Sequence, residues 1–296
     1  MLPAVSLCVL LAVVGVRSHS ADARAGQLAE SARQLDLVGG MRASLLAASD
    51  RERSAVLAVS DEASRTFADQ ARASIADLDR QSAELAALLS QGHPRAAAQL
   101  AALAKPLADF RKLDDEVLTL AVQNTNLKAY QLAFGPAAEA VGQLDAALQR
   151  IANAPSASKE ISLAAARALI AALRIQALLP PHIAEESDAK MSALEARMGE
   201  DDAEARRQLD GLASARTLRD SAEVAAARAA YSSFDQLRTR ILQLSRANTN
   251  VRSLSLTLDQ HRGDAMRACL DALRALQDAV QSDVPSAAAP LNPRRL

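Results

Sequence analysis

From Phe110 onward, apolar residues return at alternating spacings of three and four. The seam runs Phe110, Leu113, Val117, Leu120, Asn124, Leu127, Gln131 and Phe134. A second seam with the same spacing runs Phe234, Leu237, Ile241, Leu244, Asn248, Val251, Ser255 and Leu258. This period predicts long amphipathic helices that bury one stripe. The two stretches align without a gap at an offset of 124 residues (Phe234 against Phe110), and eight of 25 positions are identical. The identities include Asn124-Thr125-Asn126 against Asn248-Thr249-Asn250, a triplet that helix propensity alone does not favour. The chain therefore reads as an internal duplication.

Each copy divides into about four helices. In the first, helix A is expected from about Ala23 to Ser60 and B from about Glu62 to Gln91. C is expected from Pro94 to about Phe134 with a kink at Pro106, and D to about Asn153. In the second, A ends at a Pro180-Pro181 stop, B runs to about Ser214, C to Leu258 and D to about Ser282. Short loops make successive helices antiparallel neighbours. The expected fold is all-α: two tandem antiparallel up-down four-helix bundles behind an N-terminal apolar segment. The expected divisions are a leader at 1–23, a first bundle at 24–153, a linker at 154–158, a second bundle at 159–282 and a disordered tail at 283–296.

Composition agrees with helices. Half the chain is apolar, there is no Trp, and aromatic residues make up 2%. Acids and bases nearly cancel, 35 against 34, which leaves no basic excess for phosphates and little aromatic surface for bases, so nucleic acid is not an expected partner. Leu2 to Val16 is an uncharged apolar run, short for a span of about 20 residues and suited to a signal peptide or an anchor. Whether this leader is cleaved or retained stays open. No second segment is expected to span, because Ile161 to Leu179 carries Arg167 and Arg174. Cys8 lies in the leader and Cys269 in an Ala/Leu stretch, where it is expected to pack as a small hydrophobe.

Enzyme signatures are absent, so no enzyme, cofactor or metal is expected. His19, His93, His182 and His261 are isolated, and no nucleotide or nucleophile motif occurs. Acidic runs such as Asp114-Asp115-Glu116 read as solvated surface. The chemistry concentrates where the seams are interrupted. A buried amide without partners costs about 1–3 kcal/mol, so something must satisfy Asn124 and Asn248. They either set the register of packed helices or line a ligand pocket, with Lys128 and Arg252 one turn further on as charge partners. Arg42 and Arg167, on the A helices, are further candidates for capturing carboxylates.

An apolar leader running into helix A, a C helix of the form F-x-x-L-x-x-x-(V/I)-L-x-L followed by Asn-Thr-Asn, and a Leu-spaced D helix resemble the four-helix-bundle sensor domain of methyl-accepting chemotaxis receptors and related sensor kinases. The resemblance implies a domain in the periplasm, or anchored in the inner membrane facing it. Such a domain binds a small metabolite between helices and signals through a membrane partner. It also implies pairing of bundles, as a homodimer or as an intrachain pseudo-dimer. This stretch is expected to hold neither the second spanning helix nor the cytoplasmic output module of such receptors. The rival expectation is a non-catalytic periplasmic scaffold or spacer.

Overall fold

The computed structural model describes residues 4–90 and 92–282, with side chains from residue 25. The leader side chains and the tail at 283–296 lie outside that description. Every regular element among the described residues is a helix. They are α1 (Ala4–Val56), α2 (Asp61–Leu89), α3 (Pro94–Ala102), α4 (Ala104–Ala121), α5 (Thr125–Phe134) and α6 (Pro136–Ala152). The second copy supplies α7 (Lys159–Ala184), α8 (Asp188–Ser214), α9 (Ala222–Ala247), α10 (Thr249–Leu258) and α11 (Gln260–Ser282).

Local chemistry sets most boundaries. Ser158, Ser187 and Ser221 cap α7, α8 and α9, each accepting the backbone N–H three residues on. Gly92 takes a φ of 136° before Pro94 opens α3, and Pro136 opens α6. Three boundaries differ from expectation. The C helix breaks at Leu103, not Pro106. Pro106 sits in the first turn of α4, where a missing N–H costs nothing, and its ring excludes helical continuity with the carbonyl four residues back, at Ala102. Pro180 and Pro181 do not stop α7, which continues to Ala184 because tertiary bonds hold its last turn. Both C helices break outright around the first Asn of the repeated triplet, ending α4 at Ala121 and α9 at Ala247.

The chain packs as two compact units that do not follow the two sequence copies. Among the described residues, one unit holds α1 up to Ala55, residues 65–116 and residues 257–282, including α11. Its core joins Met41 and Leu45 of α1, Leu78 and Leu85 of α2, Phe110 of α4, and Leu273 and Leu276 of α11. The other unit holds 56–64 and 117–256. Its core joins Leu144 and Leu148 of α6, Ile175 and Leu179 of α7, Met198 of α8, and Phe234 and Ile241 of α9. The last helix of each copy thus packs among helices of the other copy. The division at 24–153 and 159–282 therefore follows the duplication but not the packing. The seams explain why: once a C helix breaks at Asn, the chain beyond the break is no longer tied to the helix before it.

Helix α7 is long and apolar enough to cross a membrane by length and composition, which corrects the expectation that its arginines disqualify it. It packs Ala168, Ala172 and Ile175 into the core, leaves Leu163, Ile170 and Leu173 about half exposed, and pairs Arg174 with Asp201 of α8 at 3.7 Å. Cys269 is fully buried, as its setting predicts, and burial pushes its thiol up to about 11.

Candidate functional site: a crossing of two Asn-Thr-Asn turns

Asn124 (φ 50°, ψ 40°) and Asn248 (φ 52°, ψ 36°) adopt the left-handed conformation, which Asn tolerates better than other residues bearing a side chain. A single left-handed residue ends one helix, and the next residue begins another. This creates a problem at Thr125 and Thr249, because the first N–H groups of α5 and α10 have no intrahelical acceptor. Each motif solves it for the other. Thr125 N donates to Thr249 Oγ1 at 3.2 Å, and Thr249 N to Thr125 Oγ1 at 3.0 Å. Asn126 N donates to Asn250 Oδ1 at 3.1 Å, and Asn250 N to Asn126 Oδ1 at 3.2 Å. Asn126 Nδ2 donates to Asn248 Oδ1 at 2.7 Å, and Asn250 Nδ2 to Asn124 Oδ1 at 2.9 Å. The two threonine hydroxyls lie 3.2 Å apart. Every bond has its mate, so the motifs are reciprocal N-caps related by an approximate two-fold. Asn124 makes no side-chain cap to its own helix.

The pairing carries no charge. It fixes register and direction where two helices change course. Asn126 is expected to matter most, since its side chain donates twice and accepts once. Asn126→Ala should lower unfolding stability by about 2–3 kcal/mol, because the Asn250 N–H and two acceptors lose their partner. Urea denaturation reads this directly, and a loss below about 0.5 kcal/mol would show that the crossing contributes little to stability.

The second-copy side is braced further. Asn126 Nδ2 also donates to Ile183 O at 2.7 Å, and Asn248 Nδ2 to Glu185 O at 3.0 Å, at the end of α7. One residue before Ile183 lies His182, fully buried, with Nδ1 2.8 Å from Ser245 Oγ and Nε2 2.8 Å from Glu195 Oε1. Arg246 closes the network, donating from Nε and Nη2 to the Glu195 carboxylate at 2.8 and 2.9 Å. The Arg246 bonds hold the Glu195 carboxyl below the usual carboxylate range, helped by His182. Ser, His and Glu in this network resemble a hydrolytic triad in composition only. Ser245 is fully buried and its hydroxyl donates to His182 O at 3.0 Å, so the arrangement ties α7 to α9. Glu195 and Arg246 also border an open groove of about 500 Å³, with Arg238, Thr239, Leu242 and Gln243 along α9.

No family model and no curated protein matches this sequence.

The other unit contains a second buried charged cluster. Arg262 of α11 donates from Nε to Glu52 Oε2 at 2.7 Å and from Nη2 to Ser49 Oγ at 3.2 Å, and Thr257 Oγ1 donates to Glu52 Oε1 at 3.0 Å. The guanidinium lies 5.6 Å from the centre of the Phe110 ring. Asp114, 4% exposed, lies beside Glu52 in this cluster, and its Oδ1 is buried with no partner. Burial, then the neighbouring Glu52, push the Asp114 carboxyl up to about 8 against the pull of Arg262. This corrects the reading of Asp114 as solvated surface: its neighbours Asp115 and Glu116 are exposed, but its own position falls on the core side of α4.

Of the residues singled out in the sequence, Asn124 and Asn248 are brought into one crossing, each bonded to the far motif's third residue. Lys128 donates to Gln123 O at 2.8 Å and pairs with Asp61 at 3.1 Å. Arg252, Arg42 and Arg167 are exposed and do not join the crossing. Asn126 and Asn250 lie within the identical triplet but outside the heptad seam. His182, Glu195, Arg246, Glu52 and Arg262 carry no spacing signal, since their partners lie far along the chain.

Proposed function

We propose that this chain is an extracytoplasmic small-molecule sensing domain of the chemoreceptor type, membrane-anchored or periplasmic, whose response element is the Asn-Thr-Asn crossing. The observation that carries this reading is the connection between groove and crossing. Glu195 and Arg246 border the groove, Glu195 holds His182, and the adjoining carbonyls of Ile183 and Glu185 accept from Asn126 and Asn248. A ligand that competes for Glu195 or Arg246 would therefore loosen or tighten the closure of the crossing. Two left-handed hinges supply a bistable element for it to bias. The groove's paired signs, Arg238 and Arg246 against Glu195, suit a small metabolite with a carboxylate. Asn124 and Asn248 then act as coupling residues, and Lys128, Arg252, Arg42 and Arg167 as surface or supporting charges.

A thermal-shift screen against amino acids, carboxylates and aromatic acids tests the proposal. A ligand at 100 times its Kd should raise stability by about 2.7 kcal/mol, a melting shift of several degrees. The shift should disappear in Glu195→Gln. The alternative, a scaffold or spacer without a ligand, is favoured by one observation: the threonine and asparagine groups of the crossing largely satisfy each other. A screen with no hit would support it.

A further inference from the structure

The two halves of the crossing are closed differently. In the second copy residues 181–184 are wound into the end of α7, and the Ile183 side chain is fully buried. The equivalent segment of the first copy, residues 57–60 at the offset of 124, is not helical, because α1 ends at Val56 and α2 begins at Asp61. Val59, the counterpart of Ile183, is 83% exposed and Leu57 is 69% exposed. Glu185 O accepts from Asn248, but the matching donor on the other side, Asn124 Nδ2, is buried with no partner although Asn124 is fully enclosed.

Local propensity does not explain the difference. Pro180-Pro181 disfavours helix where the helix forms, whereas Leu57-Ala58-Val59-Ser60 contains no breaker where it does not. The open form has its own fastenings instead. Lys128 pairs with Asp61 at 3.1 Å, Ser64 Oγ donates to Ala121 O at 3.1 Å, and Ser60 Oγ accepts from Ala63 N at the start of α2. In the second copy Arg252, the counterpart of Lys128, is exposed, and Glu185, the counterpart of Asp61, accepts from the backbone N–H groups of Glu186 and Ser187. Glu185 pairs instead with Lys190 of α8 at 3.7 Å, so pairing with the cation that follows the triplet and carbonyl closure alternate between the halves.

We infer that residues 57–60 form a two-position turn, held unwound by the Lys128–Asp61 ion pair and able to wind into one further turn of helix that closes on Asn124. In the wound position the Asp61 carbonyl takes the place that Glu185 O takes opposite Asn248, satisfying Asn124 Nδ2, and Val59 turns inward as Ile183 does. The exposed apolar pair and the unpartnered amide both favour winding, and the ion pair and the Ser60 cap oppose it. The device needs no ligand and stands apart from the sensing proposal.

Hydrogen exchange by mass spectrometry on the full chain tests this, with Lys128→Met and, separately, Asp61→Asn to release the fastening. Wild-type amides at 57–60 should exchange quickly and those at 182–184 slowly. In either variant the 57–60 amides should slow at least tenfold, with 182–184 unchanged as the control for folding. Exchange at 57–60 as fast in both variants as in wild type would overturn the inference. High salt, which screens the pair, should shift wild type in the same direction as the variants, and no salt effect would also count against it.

Discussion

Replacing Arg262 with Met is expected to destabilise the chain by about 3–5 kcal/mol, more than Asn126→Ala at the crossing. Glu52 is fully buried and Arg262 nearly so, and the guanidinium supplies the positive charge that bonds to the Glu52 carboxylate. Removing it leaves a buried carboxylate beside a second buried carboxyl, Asp114. It also leaves Ser49 Oγ without one partner and removes the cation from the Phe110 ring. Methionine nearly matches the length of the arginine stem, so the loss reports charge and hydrogen bonds more than volume. Chemical denaturation measures it. A loss below about 1 kcal/mol would mean that the pair is hydrated and helix α11 loosely held.

Stability is also expected to fall as pH rises between about 4 and 8. An unfolded aspartate titrates near 3.9, whereas buried Asp114 titrates at about 8. Between those values the folded chain binds more protons than the unfolded one, so this group's contribution is full below about pH 4. It is lost as pH rises toward 8, and levels off above. Linkage over that span of about four units corresponds to about 5–6 kcal/mol. Asp114→Asn keeps the size and a donor beside Glu52 while removing the titration. It should therefore flatten the profile, and at pH 9 it should be the more stable of the two proteins. Denaturation midpoints from pH 5 to 9 check this, and parallel profiles for the two proteins would show that Asp114 ionises freely.

The helices, the duplication and the height at which each C helix departs from its seam are legible in the sequence, because they rest on periodicity and on a repeated triplet. The break itself is not. Asn124 and Asn248 fit the heptad as well as a register-setting amide would, and nothing local distinguishes that role from a left-handed hinge. The exchange of α6 and α11 depends on that hinge and is hidden with it. Asp114 escapes for another reason: in an Asp-Asp-Glu run, composition points to solvent, and only the phase of α4 against its neighbours selects which of the three is buried. Pro180 and Pro181 mislead in the opposite sense, since the bonds that hold the last turn of α7 come from Asn126, Asn248 and Ser245. Those partners lie at least 57 residues away along the chain.

The exchange of last helices is the central feature of the packing, and it sets Glu52 of the first copy against Arg262 of the second, 210 positions away. A double-mutant cycle of Glu52→Gln and Arg262→Met, read by urea denaturation at pH 7, measures that contact alone. The exchanged packing predicts a coupling of at least about 2 kcal/mol. Additivity within about 0.5 kcal/mol, as expected for distant sites, would contradict it.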